Sequence, residues 1–199
     1  FYAVYRYLDD GGEPSNDFIK VTSEKDDWTG DYVIVNEDAE KAIGNAYKEN
    51  TSSNKTLAAV AVTITDNKIV SPSEDIIWQI RKNGENYTMY NAAEGKYAYV
   101  TANDSRKAGL SDNSQTMNIS WGNEATKTRV YSPTYGRCFS YYSSNSEWRT
   151  YGTSNNSTGT LYCRSLETYL YTTSPVCGPH LAITEGKDIY VTGGNAGGT

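Results

Sequence analysis

Long apolar runs are missing from this chain. Nothing approaches the roughly 20 consecutive apolar residues of a membrane-spanning helix, so insertion by a helix is not expected. Basic clusters are missing too: no more than two Lys or Arg stand side by side, and the formal net charge is −6. Nucleic acid and anionic membrane surfaces are both read with concentrated positive charge, so neither is an expected partner. Histidine is almost absent. The single one, His180, stands near the C-terminal end, which leaves a Ser-His-Asp or Cys-His mechanism without a nearby base and a His-based metal site without ligands. No D-x-D-x-D-G calcium loop occurs, and no Lys-Ser/Thr follows the glycines of Gly193–Gly198 to make a phosphate loop. No cofactor is expected, and no enzymatic activity. The remaining candidate acids, Glu94, Asp104, Glu124, Glu147 and Glu167, fall in turn-like contexts, and the sequence pairs none of them across a site.

Cysteine is sparse. Cys138, Cys163 and Cys177 match no metal-ligand spacing, and their odd number allows one disulfide with a free thiol, or three thiols. Phenylalanine is scarce as well, at three residues against eighteen Tyr. Tyr, with Val and Thr, suits strands whose rings pack on one side and reach water with the hydroxyl.

Strand patterns dominate. They run through Asp31–Val35, Leu57–Ile64, Ile76–Ile80, Tyr87–Tyr90, Lys96–Val100, Met117–Trp121, Arg129–Tyr131, Arg137–Tyr142 and Thr160–Cys163, separated by turns rich in Gly, Asn, Ser and Asp. Glu37–Asn50 is the one modest helix candidate, and its Gly44 counts against it.

An internal repeat organises these strands. Tyr90 to Tyr97 and Tyr131 to Cys138 align at an offset of 41 residues, matching Gly95 with Gly136 and Lys96 with Arg137. An earlier copy lies 55 residues upstream, with Val35 under Tyr90, Lys41 under Lys96 and Ile43 under Ala98. The same comparison lines up Trp78, Trp121 and Tyr162 as equivalent core aromatics. Units that cannot bury an apolar face alone can do so as a set of three. The expected fold is therefore all-β, a β-trefoil-like barrel of three repeats, with a β-sandwich as the alternative. Its expected bounds are residues 18–177. Residues 1–17 read as a strand or linker from an upstream segment, and 178–199 as a linker or the first strand of a following domain.

Three stretches carry a resemblance: Phe18–Ser23 leading to Trp28–Val35, Gly136–Tyr142, and Gly159–Arg164. They resemble a module of large secreted or surface multidomain proteins of Bacteroidetes, although Cys163 interrupts the closing Leu-Tyr-Arg pattern. The resemblance implies export to the cell surface or beyond, neighbouring domains in the same protein as partners, and no catalytic residues.

What remains is recognition. A non-catalytic extracellular module serves either as a spacer or protein-contact domain, or as a lectin-like module for host or dietary glycan. Sugars stack on aromatic rings while Asn, Asp or Gln hold their hydroxyls, and the loop carrying Asn145, Glu147, Trp148 and Tyr151 offers that mixture. Those four are the expected ligand-binding residues, with Trp148 either an exposed platform or, as the commoner case, a core residue of the barrel cap. Of Tyr141 and Tyr142, adjacent on a strand, one must face outward. Trp28 reads as a packing cap. Cys138 and Cys163, both on strands of the third repeat, are the expected disulfide pair.

Overall fold

The computed structural model describes residues 5–6, 16–121, 128–154, 156–164, 168–169, 180–182 and 190–192. The chain divides into two compact units, one formed by residues 16–164 and the other by 1–15 with 165–199. In chain order the strands are β1 (Tyr5–Arg6), β2 (Phe18–Lys20), β3 (Gly30–Asn36), β4 (Lys41–Asn50), β5 (Lys55–Ala61), β6 (Lys68–Ile69), β7 (Trp78–Asn83), β8 (Asn86–Asn91), β9 (Lys96–Val100), β10 (Ala108–Ser111), β11 (Asn118–Trp121), β12 (Thr128–Ser132), β13 (Arg137–Tyr142), β14 (Glu147–Gly152), β15 (Thr160–Arg164), β16 (Thr168–Tyr169), β17 (His180–Ala182) and β18 (Tyr190–Thr192). In the smaller unit β1 pairs with β16 and β17 with β18, all antiparallel.

The larger unit is a closed ring of six strands. β7 bridges β3 and β8. β11 pairs with β12, and Met117 just before it bridges to Tyr87 of β8. β15 returns to β3, while Gly159 beside it bridges to Thr128 of β12. Six further strands form three caps at one end, β4–β5, β9–β10 and β13–β14, which meet where Leu57 pairs with Trp148 and Lys55 with Lys107, while β2 lies against β15 and carries β6 on its other edge. A barrel capped by three such hairpins is the trefoil-like architecture expected from the repeat.

The repeat is visible residue by residue. Each barrel-to-cap turn has four residues, closed by the pairs Asn36–Lys41, Asn91–Lys96 and Ser132–Arg137. The last turn residue is left-handed in all three: Glu40 at φ 49°, Gly95 at 72° and Gly136 at 60°. Glycine meets this requirement without strain, which explains the two glycines that mark the alignment. Inside, Ile34, Met89 and Val130 occupy matching places, as do Ile43, Ala98 and Phe139. Leu57, Ala108 and Trp148 form the matching cap layer, and all nine side chains are fully buried in one core.

Two sequence expectations are corrected here. Glu37–Asn50 is a turn followed by β4, with a bulge between Ile43 and Tyr47 that absorbs Gly44. The aromatic triplet also fails. Trp121 stands opposite Thr128, whereas the matching places opposite Tyr87 and Tyr32 hold Lys82 and Cys163. Tyr162 is therefore one residue out of register with Trp121, and a one-residue slip moves a side chain to the other face of the sheet. Tyr162 packs outside the barrel, in a second cluster with Phe18, Val33, Val35, Ala42, Ile69, Ile76 and Ile77. Trp121 instead stacks on Trp28 at 6.1 Å, and Trp28 is a buried packing residue as expected.

Candidate functional site

The four residues expected to bind a ligand do not form one surface. β14 carries Glu147, Trp148 and Tyr151, and in a strand side chains alternate between faces, so Trp148 and Tyr151 point opposite ways. Trp148 is 0% exposed, packed among core residues with Tyr141 5.9 Å away, ring to ring. It cannot serve as a stacking platform, and that expectation is withdrawn. Glu147 is buried too, its carboxylate accepting hydrogen bonds from Arg149 and, at 3.1 Å, from Thr56. Arg149 lies over the Tyr142 ring at 3.8 Å. Asn145 is exposed, in the short 3₁₀ turn Ser143–Asn145, and Tyr151 is half-buried on the outer face.

The disulfide is also corrected, since Cys138 and Cys163 are both free thiols. Strands of one repeat need not be neighbours in a closed barrel: β13 pairs with β12 and β14, whereas β15 pairs with β2 and β3. Cys177 lies outside the described residues.

A polar cleft of about 250 Å³ opens elsewhere, beneath the first barrel-to-cap turn. Asn36, Glu37 and Asp38 form one wall, Ser140 and Tyr141 of β13 a second, and residues 156–160, between β14 and β15, a third. Each wall is held in place by an identifiable contact. The Glu37 carboxylate accepts hydrogen bonds from Lys20 at 2.9 Å, Thr160 at 3.0 Å and the Tyr162 hydroxyl. Burial pushes the Glu37 carboxyl up, but these donors outweigh it and hold the group below the usual carboxylate range. Burial, together with Glu37, pushes the Tyr162 hydroxyl well up, so it stays a donor. On the third wall, Ser140 donates to the Ser157 carbonyl at 2.7 Å, Thr158 Oγ1 accepts from the Val130 amide at 2.7 Å, and Arg129 donates to the Asn156 carbonyl at 2.7 Å. Gly159 sits at φ 140° with its Cα face against Val35, where any Cβ would lie 2.3 Å from the carbonyl oxygen.

Several groups that line the cleft keep hydrogen-bonding capacity. The Asp38 carboxylate and Ser157 hydroxyl have no hydrogen-bond partner among the described residues. Asn156 uses its amide nitrogen on the Gly152 carbonyl at 2.9 Å, and Asn36 its oxygen on the Ala39 amide at 3.0 Å, leaving the other end of each amide uncommitted. Tyr141 also lines the cleft, while its half-buried ring packs toward the core on the side of Trp148, 5.9 Å away, with its hydroxyl 3.3 Å from Ser146. No group of three or more potential metal ligands occurs among the described residues.

The other two turns lack this arrangement. Ala92–Ala93 and Pro133–Thr134 stand where the first turn has Glu37–Asp38. Beside the second turn, Asn91 is buried. Its amide nitrogen donates to the Glu74 and Ile77 carbonyls at 3.0 and 2.9 Å, and its oxygen accepts from Asn45 at 2.9 Å and the Glu94 amide at 2.8 Å. The sequence alone marks Tyr141 or Tyr142 as outward-facing but connects neither with Asp38 or Asn156.

No protein-family profile matches the chain, and no curated protein matches its sequence. Solved structures do match its shape. The Rhizoctonia solani agglutinin aligns with a TM-score of 0.53 at 10% identity, over 72% of this chain and 100% of its own. The ricin B-like lectin of Macrolepiota procera, solved in complex with lactose, aligns with a TM-score of 0.50 at 13% identity, over 70% of this chain and 97% of its own. A designed threefold-symmetric protein, ThreeFoil, aligns with a TM-score of 0.52 at 14% identity, over 69% of this chain and 99% of its own. At these identities the likeness speaks for the fold alone, and with the closed barrel and its three caps it makes the body a β-trefoil-like domain.

Proposed function

We propose that the body formed by residues 16–164 is a lectin-like, carbohydrate-binding module, and that the cleft under the first turn is its binding site. The observation that carries this reading is the meeting of uncommitted polar groups of Asp38, Asn156 and Ser157 in one cleft of about 250 Å³ that Tyr141 also lines. Sugar recognition needs hydrogen-bonding partners held in fixed positions for the hydroxyls, and these three residues supply them. The fold likeness favours the same reading over a spacer or protein-contact role, since the agglutinin and the lactose-bound lectin are built on this architecture. Chain on both sides of the body contributes to a second compact unit, in keeping with a module of an extracellular multidomain protein.

A glycan-array screen of the whole chain tests the proposal, with Tyr141→Ala and Asn156→Ala as variants. Binding that both substitutions abolish, with folding intact by circular dichroism, supports it. Binding that survives both places the site elsewhere, and no binding to any glycan returns the spacer reading to the front.

A further inference from the structure

The charges lining the cleft point to the class of glycan it accepts. Two carboxylates face it, Glu37 and Asp38, and no Lys or Arg is among its lining residues. Two cations are bonded to its walls. Lys20 is neutralised by Glu37 at 2.8 Å, and Arg129, whose charge stays unpaired among the described residues, donates to the Asn156 carbonyl at 2.7 Å without lining the cleft. Glu37 is ionised throughout the neutral range because its donors hold it below the usual carboxylate range. Asp38 is exposed at the rim and has no ion-pair partner among the described residues. The chain as a whole adds a net charge of −6 to the local field.

Resting on the carbohydrate reading above, we infer that the cleft selects uncharged glycans and rejects those carrying a carboxylate or sulfate, with Asp38 as the specificity-determining residue. The polar groups left free suit that ligand. The Asp38 carboxylate, the Asn156 side-chain oxygen and the Ser157 hydroxyl can all accept hydrogen bonds, and a neutral sugar is a dense source of hydroxyl donors. An acidic sugar would bring acceptors to acceptors. It would also add like-charge repulsion, about 1 kcal/mol for two unit charges 4 Å apart in water, or about fivefold in affinity. Repulsion between exposed charges is screened as salt rises, so the discrimination should narrow at high ionic strength.

The experiment uses the intact chain on an array of matched oligosaccharides, each printed in neutral, sialylated and sulfated form, at low and high salt. Asp38→Asn and Asp38→Lys are run beside the wild type, with circular dichroism as the folding control. The wild type should prefer the neutral member of a bound pair by about fivefold or more at low salt. Asp38→Asn should reduce that ratio, Asp38→Lys should reverse it, and high salt should shrink it. Equal or tighter wild-type binding to the acidic members overturns the inference while leaving carbohydrate binding standing. A preference for neutral members that Asp38→Lys does not change overturns the role given to Asp38. Absence of binding to every member overturns the carbohydrate reading, and this inference with it.

Discussion

Replacing Trp148 by alanine separates a core residue from a ligand platform, the two roles its neighbours in sequence leave open. The side chain has no exposed surface and sits in the cap layer beside Leu57, with the Tyr141 ring 5.9 Å away. An aromatic side chain buries about 150–250 Å², which at about 25 cal/mol per Å² amounts to roughly 4–6 kcal/mol. That is an upper bound, because unfolded chains already bury some of this surface. One feature offsets the loss: the indole N–H is buried with no hydrogen-bond partner, and removing an unmet donor returns about 1–3 kcal/mol. Large aromatic-to-alanine changes in cores cost about 3–5 kcal/mol, and about 3 kcal/mol is expected here. With a urea m-value near 2 kcal/mol/M, the unfolding midpoint should fall by about 1.5 M at unchanged slope. Trp148→Phe keeps most of the ring and drops the N–H, so it should cost less than about 1.5 kcal/mol. Urea titrations followed by far-UV circular dichroism measure both. A Trp148→Ala midpoint within about 0.3 M of wild type would refute the burial argument. A phenylalanine variant as unstable as the alanine one would show that ring packing is not what the position supplies.

Other expectations follow from the walls of the cleft and from the thiols. Gly159→Ala should destabilise by about 2 kcal/mol or more, since its φ of 140° and the Val35 carbonyl 2.3 Å from a Cβ leave no room; thermal unfolding of the variant reads this directly. Glu37→Gln should be less stable than wild type at pH 7, and the gap should close as pH falls. A carboxyl with a depressed folded value contributes its stability above the unfolded value of about 4.3 and loses it as pH drops through the lower folded value. Equilibrium unfolding of both proteins from pH 7 to about 3 covers that window, and a gap that widens in acid contradicts the assignment. Burial pushes the Cys138 thiol up, whereas Cys163 is half-exposed. Iodoacetamide should therefore label Cys163 in the native protein and Cys138 only after denaturation, as peptide mass spectrometry would resolve.

The repeat was legible because the cap turns impose a local backbone requirement. A left-handed residue followed by a basic one leaves Gly95-Lys96 and Gly136-Arg137 as visible marks, and Glu40-Lys41 follows the same geometry without the glycine. The aromatic triplet misleads because spacing alone matches the tryptophans, and a strand reverses the meaning of a side chain with every residue. The same rule undoes the expected platform, since residues three apart on β14 cannot share a face. The cleft was hidden for a different reason. Its walls come from residues 36–38, 140–141 and 156–160, which meet only because β15 crosses back to β3 as the ring closes. Which turn lies over which loop is decided by that long-range pairing, and no local pattern in the chain announces it.

That closing strand also decides how the body would respond to being pulled. β15 runs antiparallel to β2, with Arg164 opposite Phe18 and its guanidinium hydrogen-bonded to Asn16. The polypeptide thus arrives and departs side by side, about one strand spacing of 5 Å apart, although the same residues stretched out would span roughly 500 Å. Tension carried along the chain therefore loads the β2–β15 seam from its open end. Its few rungs, Phe18–Arg164, Ile19–Cys163 and Lys20–Tyr162, open in succession like the teeth of a zip instead of sharing the force. Mechanically the body is closed by a latch that opens one rung at a time.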